Sequence, residues 1–150
     1  MPTVTQWMIK AGMVHLVLAL MLRVVSAVWP EVGAALGAVW WHGVVVGWLT
    51  QLIFAVAWWM FPTVSREARR GSEGWMWASG VGLNGGLLLR MVGEPGLAWS
   101  GGGGLWTALL WASAVAQVVS VGIWIVLMWP RVRAPRSAVR SGGTGSGGGR

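Results

Sequence analysis

The chain has 150 residues, 55% of them hydrophobic and 10% charged, with a formal net charge of +7 and no cysteine. So much apolar surface exceeds what one small soluble core can hide, so the bilayer must be its solvent. The missing cysteines exclude a disulfide framework, a thiolate metal site and a thiol nucleophile, and arginines gathered after Pro130 and between the second and third apolar runs point to membrane topology rather than nucleic acid.

The first predicted span covers about residues 7–29. Its apolar core is too long for a cleaved signal peptide, and no small-residue cleavage site precedes Pro30. The connection Pro30-Glu31-Val32 is short, so this span and the second, residues 33–61, are expected to form an αα-hairpin. Between Gly33 and Phe61 no side chain is charged, and His42 and Gln51 are the only strongly polar ones. At about 1.5 Å per residue, roughly twenty of these positions cross a hydrocarbon core of about 30 Å. After Pro62 comes a polar loop, TVSREARRGSEG, in which Ser72 and Glu73 look like the N-cap and first-turn acid of a third span over 75–92. The glycine-rich run GEPGLAWSGGGG then reads as a flexible loop before a fourth span, 105–129, which Pro130 closes.

The expected fold class is therefore all-α: an integral membrane four-helix bundle, antiparallel, occupying residues 1–130. An even number of spans puts both termini and the 62–74 loop on one side, together with Lys10, Arg66, Arg69, Arg70, Arg131, Arg133, Arg136 and Arg140. The other side has only Arg23 and Arg90 near it. Short cytoplasmic loops are enriched in Lys and Arg, so both termini are expected in the cytoplasm. Residues 131–150 hold too few apolar side chains to pack and are expected to form a disordered basic tail, either a solvated topological anchor or a patch for anionic lipid.

Tryptophan occurs fourteen times and tyrosine never. Trp7, Trp58, Trp59, Trp75, Trp77 and Trp129 suit an inner interfacial belt, with Trp29 and Trp99 on the outer side. Trp40, Trp41, Trp48 and Trp111 lie deeper, where a ring packs against another flat group and its N–H needs a partner. Helix contacts are expected at Gly33-xxx-Gly37, Gly43-xxx-Gly47 and Gly82-xxx-Gly86, where small residues let backbones approach in lipid.

Sorted by depth, the polar residues of the spans fall into two layers. His15, Gln51, Asn84 and Gln117, at or below the midplane, read as hydrogen-bonding glue between helices. Arg23, His42 and Arg90 lie outward of it on three different helices, and two intramembrane arginines beside an imidazole need an anionic or metal-bearing partner. Two readings stay open. In one, the arginines snorkel to Glu31, Glu94 or lipid phosphates while His42 bonds a neighbouring helix. In the other, His42 is the iron ligand of a haem b, Arg23 and Arg90 meet its propionates, and deep tryptophans such as Trp41 flank its ring.

The run HGVVVGWLTQLIFAVAWWMFP, with Lys10-Ala11 and His15 before it, then Arg70-Gly71, LNGGLLLRMVGEP and WPRVR after it, resembles short bacterial membrane proteins related to haem-copper oxidase subunit I, over roughly residues 10–133. The resemblance implies a bacterial inner-membrane protein in which His42 matches the second-helix histidine that ligates a low-spin haem, for electron transfer or sensing. Four spans and two histidines cannot build a three-histidine copper centre and a second haem, so oxygen reduction by this chain alone is excluded. The second axial ligand is left open among Met13, Met21, a second His42 across a two-fold axis, and a partner subunit. The expected partners are the lipid bilayer and either a second copy or a larger respiratory complex, and no nucleic acid. Two other classes fit the same residues: a non-catalytic packing subunit, or a small oligomeric transporter whose anion path is lined by Arg23, His42 and Arg90. No carboxylate pair falls within a span, which counts against acid–base hydrolysis, and the glycines at 101–104 lack the surroundings of a phosphate-binding loop.

Overall fold

The computed structural model describes residues 1–61 and 66–133, the side chains of 66–71 and 133 excepted. The described residues are helical almost throughout and contain no strand: α1 (Thr3–Val28), α2 (Pro30–His42), a π-helical segment (Gly43–Thr50), α3 (Gln51–Met60), α4 (Arg66–Ser100) and α5 (Gly104–Arg133). Because α2, the π segment and α3 run on without a break, the described residues make four long helices. Three of them, Thr3–Val28, Pro30–Met60 and Gly104–Val132, are long and apolar enough to cross a membrane. With 35 residues α4 is long enough too, but its glycines, Asn84, Arg90 and Glu94 dilute its apolar run. The four expected spans thus appear as three strongly apolar helices and one long, more polar one.

Local chemistry accounts for the helix ends. Trp29 alone separates α1 from α2, and Pro30 at the first helical position loses nothing, because an N–H there has no intrahelical partner. Glu31 in the same turn meets the positive end of the helix dipole. At Gly33 a Cβ would lie 2.7 Å from the Ser26 carbonyl oxygen, so this tight hairpin requires glycine. Between α4 and α5 the turn is Gly101-Gly102-Gly103, all at positive φ (67°, 123° and 156°), a backbone path that side chains oppose.

The boundaries differ most from the sequence expectation in α4 and α5. First, α4 already begins at Arg66, so Ser72 and Glu73 lie inside it, and the Ser72 hydroxyl accepts from Arg131 Nη2 at 3.4 Å instead of capping. Second, α4 runs through Pro95 to Ser100, where a loop was expected from residue 93. The reason is packing: Gly93 and Gly96 seat α4 on Leu110 and Trp106 of α5, and Arg90 bonds Glu94 across the turn. Likewise α5 continues past Pro130 to Arg133. Arg131 is buried there, its guanidinium carbon 3.5 Å from the centre of the Trp58 ring. The tail expected to be disordered lies, from residue 134 on, outside the described residues.

The second helix is central. It buries 33% of its most apolar window, against 17% for α1 and 11% for α5, whose remaining faces carry Val, Leu and Met outward. Its buried row is Ala35, Val39, Gly43, Gly47, Gln51 and Ala55, one residue in four. In an α-helix of 3.6 residues per turn such a row would drift by about 40° at each step and leave the interface after two or three. The π segment winds more residues into each turn and keeps the row on one face. That face lies on α1: a Cβ at Gly43 would meet Ala19 Cβ at 3.0 Å, and one at Gly47 would meet His15 Cβ at 2.8 Å and Leu87 Cδ2 of α4 at 2.7 Å. Thr50 Oγ1 donates to the Val45 carbonyl at 2.8 Å, answering a backbone group within the wide turns. Of the three expected glycine pairs, Gly43/Gly47 packs on α1 and Gly82/Gly86 on Ser120, Ser113 and Gln117 of α5, while Gly37 meets nothing.

A cluster of Val4, Met8, Phe54, Ala55, Trp58, Met76, Leu83 and Met128 joins all four helices at the end holding the N-terminus of α1. Phe54 stacks on Trp124 with centroids 4.2 Å apart and planes 4° from parallel.

This packing predicts a contrast between two glycines of one helix. Gly47→Leu should overpack the junction of three helices and cost about 1–3 kcal/mol, read as an earlier thermal loss of monodisperse protein in detergent. Gly37→Leu, in open space, should behave as wild type. Equal stability of the two variants would contradict the packing described.

Candidate functional site

The site forms where α2 ends and the π segment begins, opposite the outer third of α4. His42 is the last α-helical residue, twelve after Pro30, or roughly 18 Å into the helix. Its Nδ1 lies 2.8 Å from the Ala38 carbonyl oxygen, a bond within its own helix. A carbonyl only accepts, so the proton sits on Nδ1 and Nε2 presents its lone pair. Arg90 Nη1 reaches that lone pair at 3.3 Å and also donates to Glu94 Oε1 at 2.9 Å. Glu94 Oε1 in turn lies 3.6 Å from His42 Nδ1.

The three side chains thus form a closed triangle of one cation, one anion and one imidazole. Their side-chain exposures of 30% for His42, 20% for Arg90 and 12% for Glu94 leave little room for screening by water. Around them, Arg90 Nε donates to Ser113 Oγ at 3.4 Å, and Gln117 Nε2 donates to the same hydroxyl at 3.2 Å. The second carboxylate oxygen, Glu94 Oε2, is buried and meets no hydrogen-bond donor of the described residues. One lone pair set is therefore open to a proton or another donor.

Of the residues named from the sequence, the structure brings His42 and Arg90 together and separates Arg23 from them. Arg23 is exposed, and its guanidinium carbon lies 5.5 Å from the centre of the Trp40 ring. Trp40 makes an edge contact with Trp41 at 5.1 Å, and Trp41 faces outward, 56% exposed. Glu94 supplies the compensating charge. Its spacing of four from Arg90, one helical turn, was a signal available in the sequence once the helix is known to continue through Pro95. Ser113 gave none, since nothing in the sequence of α5 marks one serine above another.

A second polar layer lies deeper along the helices, Asn84 being six residues, roughly 9 Å, before Arg90 on α4. His15 Nε2 is 2.8 Å from Asn84 Oδ1, joining α1 to α4, and Asn84 Nδ2 donates to the Gly80 carbonyl at 2.7 Å. Gln117 bonds Ser113 on its own helix, and Gln51, 1% exposed, has no partner for either amide atom among the described residues. The expected glue between helices is therefore made by His15 and Asn84 alone of these four.

The fit of a haem to these residues depends on His42. Iron requires the Nε2 lone pair that Arg90 occupies, so ligation would exchange a 3.3 Å hydrogen bond for a metal bond. The other imidazole is committed to Asn84, while Met13 and Met21 are 60% and 61% exposed on the outward face of α1. Among the described residues no group of three or more His, Cys, Asp or Glu side chains is placed to hold a metal ion. No protein-family model, no curated protein and no solved structure matches the chain, and nothing in these comparisons links it to haem-copper oxidase subunit I.

Proposed function

We propose that the chain is a bacterial inner-membrane protein that exchanges protons through the bilayer, with His42, Arg90 and Glu94 as its exchange site. The observation that carries this reading is the pair of titratable side chains 3.6 Å apart at membrane depth, held by one arginine, with Glu94 Oε2 buried and open. A proton taken up at His42 Nε2 allows the Nδ1 proton to pass to Glu94 Oε1. One N–H bond forms, one breaks, and an O–H bond forms on the carboxylate. Arg90 must first give up its contact with Nε2, the longer of the two that its Nη1 makes. An intramembrane ionisable cluster is a functional site by default, because hydrocarbon makes it costly to keep.

The test is flux in liposomes of purified protein, with a pH-sensitive dye inside and a valinomycin-clamped potassium gradient. Wild type should acidify or alkalise the lumen faster than empty liposomes, and Glu94→Gln and His42→Phe should not. Wild-type flux equal to that of empty liposomes would end the proposal.

The reading includes four antiparallel spans with both termini cytoplasmic. Its support is that α4, though the most polar, has Ser79, Asn84 and Arg90 answered inside the protein, by the Ser120 carbonyl, His15, Ser113 and Glu94. Arginine placement gives the orientation. Cysteines introduced by Ser65→Cys and Ser137→Cys should react with impermeant reagent only from the cytoplasmic side, and Ser100→Cys only from outside. Labelling of Ser65→Cys from outside would reverse the topology.

A second reading, haem b binding for electron transfer or sensing, is favoured by one contact. The His42 Nδ1 hydrogen bond to Ala38 is the arrangement that holds a metal-ligating imidazole in the right tautomer. His42 would supply one axial ligand and Arg90 would be free to meet a propionate. A second copy or a respiratory partner subunit would supply the other ligand. Protein purified from haem-replete cells should then show a Soret band that His42→Ala removes. A colourless preparation that stays colourless on haem addition leaves only the proton reading or a packing role.

A further inference from the structure

We infer that His15, Gln51 and Asn84 form a second proton-carrying station, a buried site for water and hydronium between α1, α3 and α4; this rests on the proton-exchange reading of the outer cluster and supplies its inner half. The protonation pattern follows from the hydrogen bonds. Asn84 Nδ2 donates to Gly80, so Oδ1 is the acceptor and His15 Nε2 carries the hydrogen that bonds it. His15 Nδ1 then bears a lone pair, and it is buried with no protein group to meet it, in a residue only 6% exposed. Gln51, 1% exposed, likewise has its amide donor and its amide acceptor both unpartnered.

These open groups converge on one crossing. A Cβ at Gly12, three residues before His15 on α1, would lie 3.8 Å from Gln51 Oε1, and one at Gly47 would lie 2.8 Å from His15 Cγ. The two glycines let α1 and the second helix touch backbone to backbone, and His15 and Gln51 flank the contact. The row of every fourth residue described above brings Gln51 to this face. In an unbroken α-helix Gln51, two steps along this row from Gly43, would turn about 80° away from it.

In hydrocarbon, one unmet donor and two unmet acceptors at a shared site are costly. Water meets all three, since it both donates and accepts. Hydronium arriving there gives its proton to His15 Nδ1 and leaves as water. Both ring nitrogens then donate, Nε2 to Asn84 and Nδ1 to water or Gln51 Oε1. The reverse transfer discharges the imidazolium to water on the other side. From the other elements Gly47 lies against the His15 side chain and Asn84 bonds its ring, and neither carries a charge. On α4, Asn84 and Arg90 are six residues, roughly 9 Å, apart, a gap that a short chain of waters bridges.

The same liposome assay tests the inference, with full-length variants that leave the outer cluster intact. Gln51→Leu and His15→Phe should each bring flux down to that of empty liposomes while remaining monodisperse in detergent. If wild type conducts and both variants conduct as well as it does, this station is overturned and the outer site stands. If wild type does not conduct, the outer reading itself has failed. Should His15→Phe not fold, nitrogen NMR of His42→Phe protein, whose only imidazole is then His15, decides. Its Nδ1 resonance should move from the lone-pair to the protonated position across the pH range of the flux assay, and a resonance fixed in one neutral tautomer overturns the proposal.

Discussion

Arg90 cannot leave its charge unanswered at the depth where α4 crosses α2, and much of the outer half of the protein follows from how it is answered. One of its nitrogens serves both Glu94 and His42, and its Nε reaches Ser113 on α5. Three helices are thereby fastened at a single guanidinium. Removing Glu94 would leave that cation in a medium that solvates it poorly, which is why such pairs are far costlier to break than they are favourable to form. The same argument explains why α4 continues through Pro95. A helix that ended earlier would carry Glu94 away from the arginine it neutralises.

The second constraint is steric. The central helix presents small or slender residues at every fourth position, and an α-helix cannot hold such a row against a straight neighbour. The chain resolves the conflict by widening its turns from Gly43 to Thr50, directly after His42. Helical winding thus changes beside the titratable side chain, and both the outer triangle and the inner glycine crossing depend on the register it sets. Wide turns of this kind recur at functional sites in other helices, and here the physical cause is the spacing of the small residues.

Much of the fold could be read from the sequence because lipid imposes simple rules. Long apolar runs gave α1, the second helix and α5 to within a few residues, and the glycine pairs at 43/47 and 82/86 marked real contacts. The start and end of α4 could not be read, because Pro95 and the surrounding glycines are loop signals in water yet are tolerated in a helix packed against another. For the site, depth alone put Arg23, His42 and Arg90 at one level, but depth carries no azimuth. Arg23 shares their level and turns instead to Trp40, and Gln51 was assigned a partner it does not have. The π segment had a visible trace, the period of four from Ala35 to Ala55, which a reading tuned to 3.6 passes over.

The three-residue glycine turn between α4 and α5 bears on how the protein is made. On its own, α4 is the least apolar of the long helices, and a translocon would have little reason to release it into lipid. Joined so tightly to α5, whose apolar surface is almost wholly outward, it can leave the channel as one half of a hairpin, its serines, glycines and Arg90 already covered. Lengthening that turn would loosen the pairing, so the short glycine linker keeps the more polar helix beside the apolar one that covers its glycines.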